Sequence, residues 1–142
     1  MIRKALPSDV PQLAGLSSEL GYPVKEEDLA MYLSVLDRDR DHAVLVSEDE
    51  SGRICGFIHV LVSKRLFLAD FAELGGLVVD QECQSSGHGT KLLEAAESWA
   101  AARGIKDIKV RSNIIRKEAR IFYLGRGYQE YKKQNVFQKT LK

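Results

Sequence analysis

The chain predicts a mixed α+β domain in which one sheet is covered by helices, about six or seven strands flanked by about four helices, with the central strands splayed. Three observations lead there. Helix-patterned segments come first, two β-rich runs joined by a turn follow, and the second half alternates strand, helix, strand, helix, strand. The length, 142 residues, suits one core and is short for two, so residues 1–142 are expected to form a single domain.

Each element has its own signal. Residues 2–5 read as a short extended start, and Pro7, Ser8 and Asp9 supply the chemistry that opens a helix carrying Val10, Leu13, Leu16 and Leu20 at helical spacing. Gly21, Tyr22 and Pro23 end it. A second helix is expected over about residues 25–36, with Glu26, Glu27 and Asp28 in its first turn and Leu29, Leu33 and Leu36 on one stripe. The run "DRDRDH", residues 37–42, reads as a solvated connection.

Residues 43–47 and 54–62 are β-rich, and the "EDESG" between them has hairpin-turn composition. His59 lies in the second run, where a lone histidine is expected to be structural or superficial. "ADFAELGGLVV", residues 69–79, is a third extended run interrupted by Gly75 and Gly76, which suggests a bulge or a ligand pressed against the backbone. Residues 88–103 form the strongest helix pattern, with Leu92, Leu93, Ala96, Trp99 and Ala100 on one face. A strand near 107–111, a helix near 116–125 and a final β segment over 135–141 complete the order.

Composition excludes several classes. The formal charge of +1 without a long basic run argues against nucleic-acid binding, and no apolar stretch reaches membrane-spanning length. The first residues lack the apolar segment of an export signal, so a cytoplasmic protein is expected. The two cysteines, Cys55 and Cys83, are not spaced as a close metal pair and are expected to be plain thiols.

"DQECQSSGHGTKLL", residues 80–93, carries the chemistry. A strand that runs straight into small residues and a helix start leaves several backbone N–H groups pointing the same way, which suits an anion. Gly87 and Gly89 would permit positive φ and a close phosphate, while Gln84, Ser85, Ser86 and Thr90 would add polar contacts. A plain turn with a good helix cap is the alternative. "GHGTK" has Thr90 and Lys91 in the reverse of the triphosphate-loop order, and the G-x-G-x-x-G dinucleotide spacing is not completed.

The stretch "LVVDQECQSSGHGTKLL" resembles the Q/R-x-x-G-x-G/A loop of the GNAT acetyltransferase superfamily, with Gln84, Gly87 and Gly89 in its three defining places. "RKEARIFYLGRGY", residues 116–128, resembles the A-x-x-x-Y-x-x-x-G-F/Y element of the same superfamily through Ala119, Tyr123, Gly127 and Tyr128. The narrower likeness is to small-molecule N-acetyltransferases of the aminoalkylphosphonate and aminoglycoside type.

The resemblance implies acetyl-coenzyme A as co-substrate and a primary amine of a small molecule as acceptor. It implies Glu73 as general base and Tyr123 as the acid that serves the departing sulfur. Cofactor contacts are implied for Leu77, Val78 and Val79, for Gln84, Ser85, Ser86, Gly87, His88, Gly89 and Thr90, and for Asn113. No metal is called for. A homodimer is the oligomer common in the superfamily.

The chain departs from the pattern at Arg116, where asparagine is common, at Arg120, where the small-molecule subset often has histidine, at His88, usually aliphatic, and at Gln81, usually proline. A non-catalytic acyl-coenzyme A sensor would share the loop but has no need of both Glu73 and Tyr123. Acetylation of proteins or peptides would require a groove that sequence cannot show.

Overall fold

Five strands form one mixed sheet in the order β1-β2-β3-β4-β5 among the residues described by the computed structural model, 1–112 and 117–142. The strands are β1 (Ile2–Lys4), β2 (His42–Glu48), β3 (Ile54–Arg65), β4 (Leu68–Val79) and β5 (Ile108–Val110). Neighbours are antiparallel except β4 and β5, which are parallel. The helices are α1 (Val10–Leu20), α2 (Glu26–Asp37), α3 (His88–Ala101) and α4 (Lys117–Leu124). The mixed α+β class expected from the sequence is the one observed.

Alternation in β2 to β4 divides the sheet between two sets of helices. On one face Val46 and Val78 join Ala5, Val10, Leu13, Leu16 and Leu33 in a core beneath α1 and α2. On the other, α3 lays down Leu92, Leu93, Ala96 and Ala100, all buried. Burying a leucine of this kind contributes about 1.5–3 kcal/mol, so Leu92 and Leu93 anchor the helix. Gly56 permits the approach: a Cβ there would lie 3.1 Å from Leu92 Cδ1 and 2.6 Å from the Val78 carbonyl. Trp99, expected on the buried face of α3, is only half-buried and stacks with the Arg103 guanidinium, 3.8 Å from its ring centre.

Helix ends follow the local chemistry. Gly21, at φ 98°, closes α1 with its N–H directed to Ser17 and Ser18 carbonyls, as a left-handed cap requires. The Arg3 guanidinium grips both oxygens of Asp9 at 2.8 and 3.0 Å, and Asp9 also accepts the Leu6 N–H at 2.7 Å. Arg3 first, then that N–H, hold the buried Asp9 carboxyl below the usual carboxylate range.

Met1–Val110 and Arg111–Lys142 form two compact units. The second contains α4, closed at Gly127 with φ 88°, and a Tyr128 N–H that donates to the Tyr123 carbonyl at 3.1 Å. Arg120 and Glu130 pair at 3.1 Å within it. The expected β segment over 135–141 is absent. Val136, Phe137 and Leu141 stand 86%, 90% and 83% exposed. A β-rich sequence becomes a strand only with a ladder partner, and the described residues provide none there, so the sheet has five strands rather than six or seven.

Candidate functional site

The site is built around the irregular middle of β4. Against β3 the register runs His59 opposite Gly76 and then Val60 opposite Leu74, so Gly75 is the extra residue of a bulge. Its glycine has a steric reason, because a Cβ at Gly75 would meet the His59 ring at 2.6 Å from Nδ1. Gly76 is different: nothing lies within 4 Å of a Cβ placed there. Past the bulge β4 loses its parallel neighbour. β5 pairs only with Ala72, Glu73 and Leu74, so Leu77, Val78 and Val79 run on beyond the end of that ladder. The Val78 side chain is buried in the α1/α2 core, which leaves only its backbone to face a ligand.

β4 runs directly into a 3-10 turn over Gln81–Ser86 and then into α3. Asp80 caps the turn by accepting the Glu82 N–H at 2.9 Å, and Arg53 clamps it by bonding Asp80 at 2.7 Å and Glu82 at 2.9 Å. That N–H first, then Arg53, hold the Asp80 carboxyl below its ordinary range, so the clamp stays charged at neutral pH. Gly87 takes φ 76° and offers α3 no side-chain cap. The first intrahelical N–H belongs to Lys91, bonded to the Gly87 carbonyl. The N–H groups of His88 and Gly89 therefore open the helix at its positive end. Nothing lies within 4 Å of a Cβ placed at Gly87, and Gln84 and Ser86 are exposed, so the backbone of the loop is open to solvent. Positive φ was expected at both loop glycines; Gly87 alone adopts it, because Gly89 already lies in α3.

Two side-chain contacts fix this loop from behind. The Ser47 hydroxyl, wholly buried, lies 2.6 Å from His88 Nδ1. Cys55 of β3 and Cys83 of the turn form a disulfide with Cα atoms 5.8 Å apart. The expectation of two plain thiols is therefore corrected. The cysteines stand 28 residues apart in sequence, and the chain returns across β3 and β4 to bring them together, with the Asp80 N–H donating to the Cys55 carbonyl at 2.7 Å.

Glu73 lies in the row His42–Leu61–Glu73–Lys109, each member opposite the next in register. Residues directly opposite share a face. Counted from Val46 and Val44, this is the α1/α2 face of the sheet, the side away from α3. Glu73 is half-buried and two residues before the bulge. His59 is not a lone histidine: its Nε2 lies 2.9 Å from His42 Nδ1, and the two rings stack with centroids 5.2 Å apart. His42 itself came from the stretch read as a solvated connection, yet it opens β2. Neither Ser47 nor His42 carried a signal, since their partners are 41 and 17 residues away.

Tyr123 belongs to α4, in the second unit. Burial pushes its phenol above the ordinary tyrosine value, and its ring lies 5.5 Å from that of Tyr128. Asn113 and Arg116 lie outside the described residues.

Known proteins resemble this chain in sequence and in fold. Residues 40–130 match the family model described as an acetyltransferase (GNAT) domain. The uncharacterized N-acetyltransferase YhdJ of Bacillus subtilis (strain 168) is 27% identical over 109 residues, covering 72% of this chain and 77% of its own. An aminoglycoside N(6')-acetyltransferase type 1 of Klebsiella aerogenes is 26% identical over 105 residues, covering 72% of this chain and 69% of its own. The crystal structure of aminoglycoside 6'-N-acetyltransferase AAC(6')-Ih from Acinetobacter baumannii superposes with a TM-score of 0.87 at 16% identity, over 99% of this chain and 98% of that one. At that identity the superposition speaks for the fold.

Proposed function

The chain belongs to the GNAT acetyltransferases, and from that premise we propose that it moves the acetyl group of acetyl-coenzyme A directly to a primary amine of a small molecule. One observation carries the reading. The β4 edge that outruns its neighbour leads without interruption into the Gly87 turn and the uncapped start of α3, a continuous strip of backbone for the pantetheine arm and the diphosphate.

In this scheme the N–H groups of His88 and Gly89, with Gln84, Ser85, Ser86, Gly87 and Thr90 around them, receive the diphosphate. Backbone N–H groups of Leu77 to Val79 hold the arm and polarise the thioester carbonyl, the task of an oxyanion hole. An amine that is mostly protonated at neutral pH gives a proton to Glu73, directly or through water, and attacks the carbonyl carbon. The C–N bond forms, the tetrahedral intermediate collapses, and the C–S bond breaks as Tyr123 protonates the sulfur; the second proton shed by the nitrogen restores the phenol, and the one on Glu73 passes to solvent. Burial suits Tyr123 to this step, because it keeps the phenol protonated. Glu73 falls in the first unit and Tyr123 in the second, and the family match runs through both.

The relative named as an aminoglycoside acetyltransferase supports a small, cationic acceptor. The test is free-thiol release from acetyl-coenzyme A against a panel of aminoglycosides, aminophosphonates, polyamines and peptides, run beside calorimetry with coenzyme A. Thiol release with a small amine is the expected result. Folded protein that shows no heat of association for coenzyme A would defeat the proposal. Binding without thiol release on any amine would leave a sensor module in its place.

A further inference from the structure

Amine acetylation leaves a proton to dispose of. The ammonium form of the acceptor carries two protons more than the amide nitrogen. One of these ends on the coenzyme A sulfur, and the other must reach solvent in every turnover. We propose that His59 and His42 conduct this second proton from the β4 bulge to solvent, with Asp39 at the outer end. The inference rests on the amine-acetylation reading above.

The groups follow one another outward from the bulge, with a gap wider than a hydrogen bond only at the outer end, a step for one water. His59 Nδ1 lies over Gly75, where a Cβ would meet it at 2.6 Å, and Gly75 is exposed and two residues beyond Glu73. His59 Nε2 is 2.9 Å from His42 Nδ1, and His42 Nε2 is 3.7 Å from Asp39 Oδ2. Asp39 is half exposed, and together with His42, Lys4, Arg38 and Arg40 it lines a cavity of about 270 Å³. The line thus starts at the bulge, crosses β3 and β2, and opens on the far side.

Tautomers follow from the outer end inward. A carboxylate only accepts, so Asp39 favours the proton of His42 on Nε2. With its proton on Nε2, His42 accepts at Nδ1, which places the proton of His59 on Nε2 and leaves His59 Nδ1 as an acceptor at the bulge. A proton arriving at Nδ1 releases the one on Nε2 to His42, which releases its own toward Asp39. A rotation of both rings or a return of protons through water resets the line. Burial, and then the neighbouring His42, hold His59 down to about 4, so its resting form at neutral pH is the neutral ring that this requires. The nearby Asp41 is engaged with Lys64 at 3.5 Å, and Arg38 and Arg40 flank Asp39 on the cavity wall.

A purely structural pair would fill space beside Gly75 and nothing more. The experiment separates the two. His59→Gln and His42→Gln keep a hydrogen-bonding side chain but cannot relay a proton. Each would be checked for folding by circular dichroism and for coenzyme A affinity by calorimetry, and then assayed at saturating substrate across pH 6–9 with and without added imidazole. The expected result is a kcat lower by about tenfold or more in each variant, recovered by imidazole, with the KM for acetyl-coenzyme A little changed. The double variant should be no worse than either single one, because both interrupt one path. Unaltered kcat, or a loss that imidazole does not recover and that leaves the pH profile unchanged, would overturn the relay. His42→Gln, at the more open end, decides the matter if His59→Gln fails to fold. A wild-type protein that neither binds coenzyme A nor releases thiol would fail at the earlier step; an active wild type with equally active variants would defeat the relay alone.

Discussion

The Ser47 hydroxyl and the Nδ1 atom of His88 lie 2.6 Å apart, tying the second strand of the sheet to the first residue of α3. His88 is thereby held at the point where its backbone N–H faces the proposed diphosphate. Ser47→Ala removes a wholly buried partner, and the unmet ring nitrogen costs about 1–3 kcal/mol. Denaturant unfolding should register that loss, and the KM for acetyl-coenzyme A should rise while kcat holds.

Gly75→Ala places a methyl group against the His59 ring, 2.6 Å from Nδ1. Overpacking of this kind costs about 1–3 kcal/mol. Removing the ring should relieve it, so Gly75→Ala combined with His59→Ala is expected to be less destabilised than the two single losses added together, in a double-mutant cycle read by urea unfolding.

Glu73→Gln deletes the proposed base without changing shape. Activity at neutral pH is expected to fall by about 10²- to 10⁴-fold and to climb with pH as the free amine becomes available without help. Initial rates between pH 6 and 10 check this. A variant as active as wild type at every pH would remove the assignment.

Tyr123→Phe should slow departure of the thiolate, with the larger effect on kcat. Because burial raises the Tyr123 phenol above its ordinary value, the wild-type acid stays protonated through the range where an exposed tyrosine would begin to ionise. The alkaline fall in kcat that it causes is therefore expected above about pH 10, where loss of the proton abolishes the acid; in Tyr123→Phe that limb should disappear.

The Cys55–Cys83 disulfide closes a stretch of 28 residues that includes β4 and the first half of the turn before Gly87. Restricting the unfolded chain over such a length contributes about 3–4 kcal/mol on the chain-entropy estimate. Dithiothreitol should lower the thermal midpoint of the wild type and leave that of the Cys55→Ala, Cys83→Ala double variant unmoved, as differential scanning calorimetry would show.

Much of the architecture is written in short-range pattern. The apolar spacing of α1 and α3, the acids opening α2, the glycine at 21 and the alternation in β2 and β3 each act within a few residues, and each element formed near its expected bounds. The loop motif is equally local, since a strand, a turn residue at positive φ and an uncapped helix start are consecutive in the chain. Residues 135–141 mark the limit of such reasoning. Their composition favours a strand, but a strand exists only where a neighbour offers its hydrogen bonds.

The packing of β2, β3 and β4 settled the rest. Ser47 meets His88, His42 meets His59, and Cys55 meets Cys83 across 41, 17 and 28 residues. No periodicity encodes such pairs, because side chains far apart in sequence interact only after hydrophobic burial has stacked the strands and laid α3 across them. His59 shows the consequence most plainly. Alone in a strand it has no distinguishing feature; beside His42 and above Gly75 it is a half-buried, neutral ring with a partner on one nitrogen and the bulge beneath the other.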